Sequence, residues 1–128
     1  MSGCLADILA DLKKREPIFH HPSEFGRTKE DILSMTCDEF WEVGASGTSY
    51  SRDYVVELLL ERYSNPDYED IWETKDFDCL EIAPDNYLLT YILLQRERVS
   101  RRATIWRRTA DGWKILYHQG TKIHKAEG

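Results

Sequence analysis

The chain has 128 residues, 41% hydrophobic and 31% charged, with 23 acidic against 17 basic side chains and a net charge of -6. That length supports one domain with one core, read as residues 1–128, and the apolar share is too high for a disordered chain. No run approaches the roughly 20 apolar residues of a membrane span, Met1-Ser2-Gly3-Cys4 does not open like a secretory signal, and net acidity argues against non-specific binding to nucleic acid.

In chain order, Leu5, Ile8, Leu9 and Leu12 follow the i, i+3, i+4, i+7 spacing of one buried helical stripe, with Asp11, Lys13 and Lys14 left for water. Pro17 lacks a backbone N–H, so it stops this helix or restarts a short turn. Thr28 caps a second helix, and Asp31 completes a capping box, with Ile32 and Met35 as the buried side. The period then changes. Glu39 to Val43 has strand content, Gly44 to Gly47 is a turn, and Ser51 caps a third helix with Asp53 in its first turn, made strongly apolar by Val55, Val56, Leu58, Leu59, Leu60 and Tyr63 and ended by Asn65-Pro66.

Four strands follow, near 71–83, 87–97, 100–109 and 113–123, with Pro84-Asp85-Asn86 and Asp111-Gly112 as turns. Phe77 and Cys79 share one parity while Leu80 and Ile82 share the other, a phase slip that predicts a bulge and a bent sheet. The class is α+β, helices first and then a long, bent antiparallel sheet. The run Tyr87 to Leu94 is apolar on both parities, so both sheet faces need cover. Helices can supply one cover. The other comes most simply from a second copy of the chain, or from a sheet curled tightly enough to cover both sides within one chain; a homodimer is expected.

Charge is partitioned. Residues 67–85 are acidic and 96–108 are rich in arginine. On neighbouring strands these groups would pair across the ladder, each exposed pair contributing no more than ~1 kcal/mol. Cys4, Cys37 and Cys79 are odd in number and widely spaced, and read as reduced thiols of a cytoplasmic protein. No His-x-x-x-His spacing puts two imidazoles on one helical face, so neither a metal nor another cofactor is implied.

Two segments resemble the nuclear transport factor 2-like superfamily, and more closely its branch called domain of unknown function 4440. They are Asp38 to Gly47 followed by Tyr50-Ser51-Arg52, and Arg102-Ala103-Thr104-Ile105-Trp106-Arg107-Arg108 with Asp111-Gly112-Trp113 and Tyr117-His118-Gln119-Gly120-Thr121. The likeness spans about residues 5 to 123. It implies a cystatin-like cone of bent sheet around three helices, commonly dimeric, with a pocket at the open end. The superfamily includes ketosteroid isomerases and SnoaL-type cyclases, so fold does not transfer function. Where the isomerases place a general-base Asp, this chain has Val43, with Glu42 beside it on the opposite strand face.

His118 and Glu42 are the catalytic candidates. A neutral imidazole in a pocket is a competent base near neutral pH, and a desolvated carboxylate on an inward face is a base or a partner for it. Each has a structural alternative: a satisfied buried His118, and Glu42 paired with Arg102 or Arg52. Trp41, Trp72, Tyr91, Trp106 and Trp113 could line an aromatic pocket, at most two of them touching a ligand. Gln119 and Thr121 could orient a ligand's carbonyl, and Arg102 belongs with Trp41, Tyr91 and Trp106 among the ligand-binding candidates. His20-His21 is expected near the mouth, and Arg52, unfavourable against its helix dipole, implies a carboxylate partner.

Three functions follow: binding of a small, largely apolar ligand; isomerase, cyclase or hydrolase chemistry with His118 and Glu42; and a protein-binding module that masks a partner.

Overall fold

The computed structural model describes residues 5–19, 27–65, 72–95 and 98–123. Helix α1 (Leu5–Arg15) buries Ile8 and Leu12 and ends on Lys13, Lys14 and Arg15, whose charges suit a helix C-terminus. Its stripe is narrower than the spacing implies, for Leu5 is exposed. After it Pro17 restarts the chain in a 3-10 turn, Glu16–Phe19. Helix α2 (Lys29–Ser34) has the expected capping box: the Thr28 hydroxyl accepts from the Asp31 N–H at 3.1 Å, and the Asp31 carboxylate accepts from the Thr28 N–H at 3.2 Å.

Strand β1 (Thr36–Val43) starts three residues before the aromatic stretch that announces it. Strand β2 (Ser49–Ser51) leads into helix α3 (Arg52–Ser64), where Ser51 Oγ accepts from the Tyr54 N–H and Val55, Val56 and Leu59 are buried. Arg52 is held by more than a carboxylate. It reaches Asp38 at 3.5 Å, but it also donates to Thr36 Oγ1 at 3.0 Å and to the Leu33 carbonyl at 2.9 Å, tying α3 to the junction of α2 and β1. Among the described residues no helix is long and apolar enough to cross a membrane.

Strands β3 (Trp72–Ala83), β4 (Asn86–Gln95), β5 (Val99–Thr109) and β6 (Gly112–Lys122) form a meander, and the sheet order is β2-β1-β6-β5-β4-β3. The sheet is mixed, not antiparallel throughout: β1 pairs with β6 in parallel. Hairpin turns force antiparallel pairing on the meander, whereas a helix and four strands separate β1 from β6 and leave their direction free. At the β5–β6 turn Gly112 takes φ of 114°, which a glycine adopts without a Cβ clash.

The expected bulge exists in β3, but earlier than the phase slip placed it. Register shifts between Lys75 and Asp78, and Asp76 stands at φ of 57°. Leu80 and Ile82 change parity because they belong to the outer face, where they are exposed. A second bulge, at Leu116, lets both His118 and Ile115 face inward. In β4, Tyr87, Leu89, Tyr91 and Leu93 are buried against the helices, while Leu88, Thr90, Ile92 and Leu94 line the outer face. The inner core adds Trp106 and Ile115 to these and to Ile8, Leu12, Ile32, Met35, Phe40, Val55, Val56 and Leu59. Burying a side chain of this kind contributes about 1.5–3 kcal/mol.

The charge ladder takes another form. β4 lies between the acidic β3 and the basic β5, so their side chains are not ladder neighbours. Arg108 instead reaches Asp85 in the β3–β4 turn at 3.3 Å, and Arg107 reaches Glu39 of β1 at 3.5 Å. Residues 20, 21, 66–71, 96 and 97 lie outside the described residues, and with them His20-His21 and the ends of two predicted elements.

The left-handed backbone at Asp76 turns Phe77 inward, and a β-branched side chain there would cost about 1–2 kcal/mol. In urea denaturation Asp76→Val is expected to lose that much, while Asp76→Gly stays within about 1 kcal/mol of the parent. Equal stability of the two variants would show that the bulge geometry carries no such constraint.

Candidate functional site

One helical turn beyond Leu12, the buried stripe of α1 runs on to Glu16. The chain therefore drives a carboxylate into its own core, where Glu16 is 2% exposed. It is met by donors from two strands. Tyr91 Oη and Thr104 Oγ1 each donate to Oε2 at 2.7 Å, and Trp106 Nε1 donates to Oε1 at 2.9 Å. Such bonds to a charged group are worth about 1.5–3 kcal/mol each. Desolvation still wins: burial pushes the Glu16 carboxyl up to about 7, against the opposing pull of these three donors and of the Arg102 charge. Burial, followed by the neighbouring Glu16 charge, pushes the Tyr91 phenol well above its ordinary value.

Behind this carboxylate stands His118, fully buried, with Nδ1 at 2.8 Å from Thr104 Oγ1 and 3.5 Å from Glu16 Oε2. Thr104 has one proton. When it gives that proton to ionised Glu16, its oxygen accepts from His118 Nδ1–H, which leaves Nε2 as the acceptor facing Arg102 Nη1 at 3.4 Å. The chain of contacts is then Arg102, His118, Thr104, Glu16. Arg102 also donates to Ser100 Oγ at 2.9 Å. Its guanidinium lies over Gly120, where an added Cβ would stand 2.9 Å from Cζ, so the missing side chain makes room for it. Burial lowers the Arg102 pKa, with the Tyr91 and Glu42 charges opposing.

Glu42 is the register partner of His118 across the parallel β1–β6 pair, and so lies on the inner face. Burial raises its pKa, opposed chiefly by Arg102. Both catalytic candidates thus share one polar cluster with Arg102. A cavity of about 130 Å³ opens on the other side of Glu16, lined by Lys13, Glu16, Pro17, Trp72, Thr74, Phe77 and Tyr91. His118 and Glu42 are not among these residues. Phe77 stacks on Tyr91 with ring centroids 4.8 Å apart, and the Lys13 ammonium sits 4.7 Å from the Phe77 centroid.

The predicted ligand-binding residues divide between the two faces. Tyr91 lines the cavity. Trp106 is wholly buried and serves Glu16, and Arg102 lies in the polar cluster behind it. Trp41, Gln119 and Thr121 occupy the outer face: Trp41 packs on Tyr117 with centroids 4.7 Å apart, and Gln119 and Thr121 are register partners of Ala103 and Arg101. Of the other aromatics, Trp72 lines the cavity, while Trp113 donates its Nε1–H to Asp11 at 3.0 Å. Glu16 itself went unnamed among the candidates. The stripe spacing Ile8, Leu12, Glu16 is the available signal, obscured by Pro17, at which the helix either stops or gives way to a short turn. Among the described residues no group of three His, Cys, Asp or Glu side chains is placed to hold a metal ion.

No protein-family model and no curated protein matches the sequence. Solved structures do. An NTF2-like protein from Cytophaga hutchinsonii aligns over 94% of this chain and 100% of its own, with TM-score 0.69 and 14% identity. An uncharacterised protein with a cystatin-like fold from Caulobacter vibrioides aligns over 92% and 88%, with TM-score 0.69 and 14% identity. An NTF2-like protein of unknown function in nutrient uptake from Rhodospirillum rubrum aligns over 92% and 98%, with TM-score 0.65 and 15% identity. At such identities the likeness concerns the fold. The chain has the nuclear transport factor 2-like, cystatin-like fold, and nothing in these matches singles out the branch called domain of unknown function 4440.

A carboxyl whose folded-state pKa is raised stabilises the protein relative to the ionised form below its unfolded value and loses that advantage as pH rises. For Glu16 the window runs from 4.5 to about 7, and the loss is roughly 3 kcal/mol. The stability difference between the parent and Glu16→Gln, followed by urea denaturation, is expected to move against the parent by about that much across the window. A difference that stays flat from pH 4 to 8 would show that Glu16 titrates as it does in water.

Proposed function

We propose that this protein, on its nuclear transport factor 2-like fold, binds a small ligand with an apolar ring-sized body and one polar head in the cavity beside Glu16. The observation that carries the reading is the lining itself. Trp72, Phe77 and Pro17 offer apolar walls, and a buried, hydrogen-bonded carboxyl stands at one side. Ligand sites commonly combine apolar walls with a few fixed polar groups. The cavity is close in volume to the roughly 150 Å³ that holds a benzene molecule in an engineered core. Fragments of that size bind with dissociation constants on the order of millimolar.

The acid–base alternative keeps one supporting observation, the register pairing of Glu42 with His118 and the reach of Arg102 to His118. The full burial of His118 weighs against its meeting a substrate and favours a positioning role for Glu16. The unpaired, buried thiols of Cys37 and Cys79 suit a reducing compartment such as the cytoplasm.

We also propose that two copies pair through the outer sheet face. Leu80, Ile82 and Trp41 are 58%, 48% and 47% exposed there, beside half-buried Leu88, Ile92, Ile105 and Tyr117. Lone exposed apolar side chains are ordinary, but a contiguous set on one face calls for cover. A second copy brings the same face and the same apolar side chains.

For the ligand site, titration of 15N-labelled protein with benzyl alcohol is expected to shift the amide signals of Trp72, Thr74 and Phe77, and Thr74→Phe to remove the effect. Absence of any shift at these residues at 10 mM fragment, on the order of the affinity expected, would sink the reading. For assembly, sedimentation equilibrium is expected to give about twice the 15.0 kDa chain mass. Leu80→Asp with Ile82→Asp should return it to the monomer, and a parent that is monomeric at all concentrations would refute pairing.

A further inference from the structure

The wall of the cavity already holds an ammonium group. Phe77 is covered on one face by Tyr91, and the Lys13 Nζ stands over the ring at 4.7 Å. An aromatic face at that distance attracts a cation through its quadrupole. Trp72 and Tyr91 add two further rings to the same lining, and Glu16 adds the one acidic side chain among the lining residues. Lys13 is an exposed residue near the end of α1, with a flexible stem that allows it to leave.

We infer that the ligand class is a small organic ammonium ion, seated between the Glu16 carboxylate and the rings of Trp72, Phe77 and Tyr91, where it displaces the Lys13 ammonium. This rests on the reading of the cavity as a ligand site and narrows it. An anionic ligand would meet Lys13 as its partner, but with a buried carboxylate on the cavity wall, whose ionised form repels it. A neutral ligand would use neither charge.

The inference fixes the sign of a pH dependence. The charged and titratable groups around Glu16 are Lys13 on its own segment, Tyr91 of β4, Arg102 of β5, His118 of β6 and, beyond Arg102, Glu42 of β1. Tyr91 is neutral and Arg102 charged throughout the neutral range. A bound cation favours the ionised carboxyl, so binding releases a proton and affinity rises with pH. For an anion the slope reverses.

The test uses three probes that share a ring and differ in head group: benzylammonium, benzyl alcohol and benzoate, titrated into the intact protein at pH 6 and pH 8 and read by NMR. At pH 8 benzylammonium is expected to bind about fivefold or more tighter than benzyl alcohol. With a Glu16 pKa of about 7, its affinity should fall by up to about tenfold at pH 6. Glu16→Gln should remove both the preference and the slope. Lys13→Met should strengthen benzylammonium, since the internal competitor is gone, and this variant serves where Glu16→Gln does not fold. Tightest binding by benzoate, a weakening by Lys13→Met, or a slope of the opposite sign overturns the inference. Equal binding of benzylammonium and benzyl alcohol overturns it while leaving the ligand site standing. Absence of binding by all three overturns both.

Discussion

The arrangement of the interior depends on one buried carboxylate. Glu16 sits in the 3-10 turn after α1, yet its partners Tyr91, Thr104 and Trp106 belong to β4 and β5, and His118 of β6 stands behind Thr104. A carboxyl out of water is tolerated only where donors meet it, so this contact fixes the end of the first helix against three strands at once. Removing one donor would leave the others facing a poorly satisfied acid, which ties the rotamers of Tyr91 and Trp106 to each other as well as to Glu16. The polar cluster and the packed core are therefore one unit.

The order of elements was legible because it is written in local chemistry. The capping box at Thr28 and Asp31, the Ser51 cap, Pro17 and Asp111-Gly112 each act within a few residues, and each marks the boundary it should. Direction and neighbourhood of strands are long-range properties. Nothing within β1 or β6 records that they lie parallel, and nothing in the charges of β3 and β5 records that β4 separates them. The bulge was legible as a fact but not as a place, since the parity change at Leu80 and Ile82 does not record that these side chains lie on the outer face and that the extra residue sits upstream at Asp76.

Of the site, the sequence shows the polar cluster more readily than the cavity. Glu42 and His118 stand out as polar side chains on predicted strands, and they share a face, but neither lines the cavity. Glu16 is hidden by its position at a helix end, where a glutamate reads as solvated. Trp41, Gln119 and Thr121 were misread in the opposite way: their parity was known, but which parity points inward is decided by where the helices pack. The bulge at Leu116 then re-phases β6, so that Trp113 and Ile115 share the inner side with His118.

The parallel pairing of β1 with β6 also sets the order in which the molecule can be completed. β1 is made early, and its partner on this side is the last strand of the meander. The meander can zip through short hairpins, each closing a small loop, but the β1–β6 seam must wait until β6 has been made. Contacts of such long sequence separation slow folding. A ribosome-bound chain lacking β6 would hold β1 with only β2, a three-residue strand, beside it. Synthesis of β6 is thus the event that joins β1 to the meander and brings His118 up to Thr104.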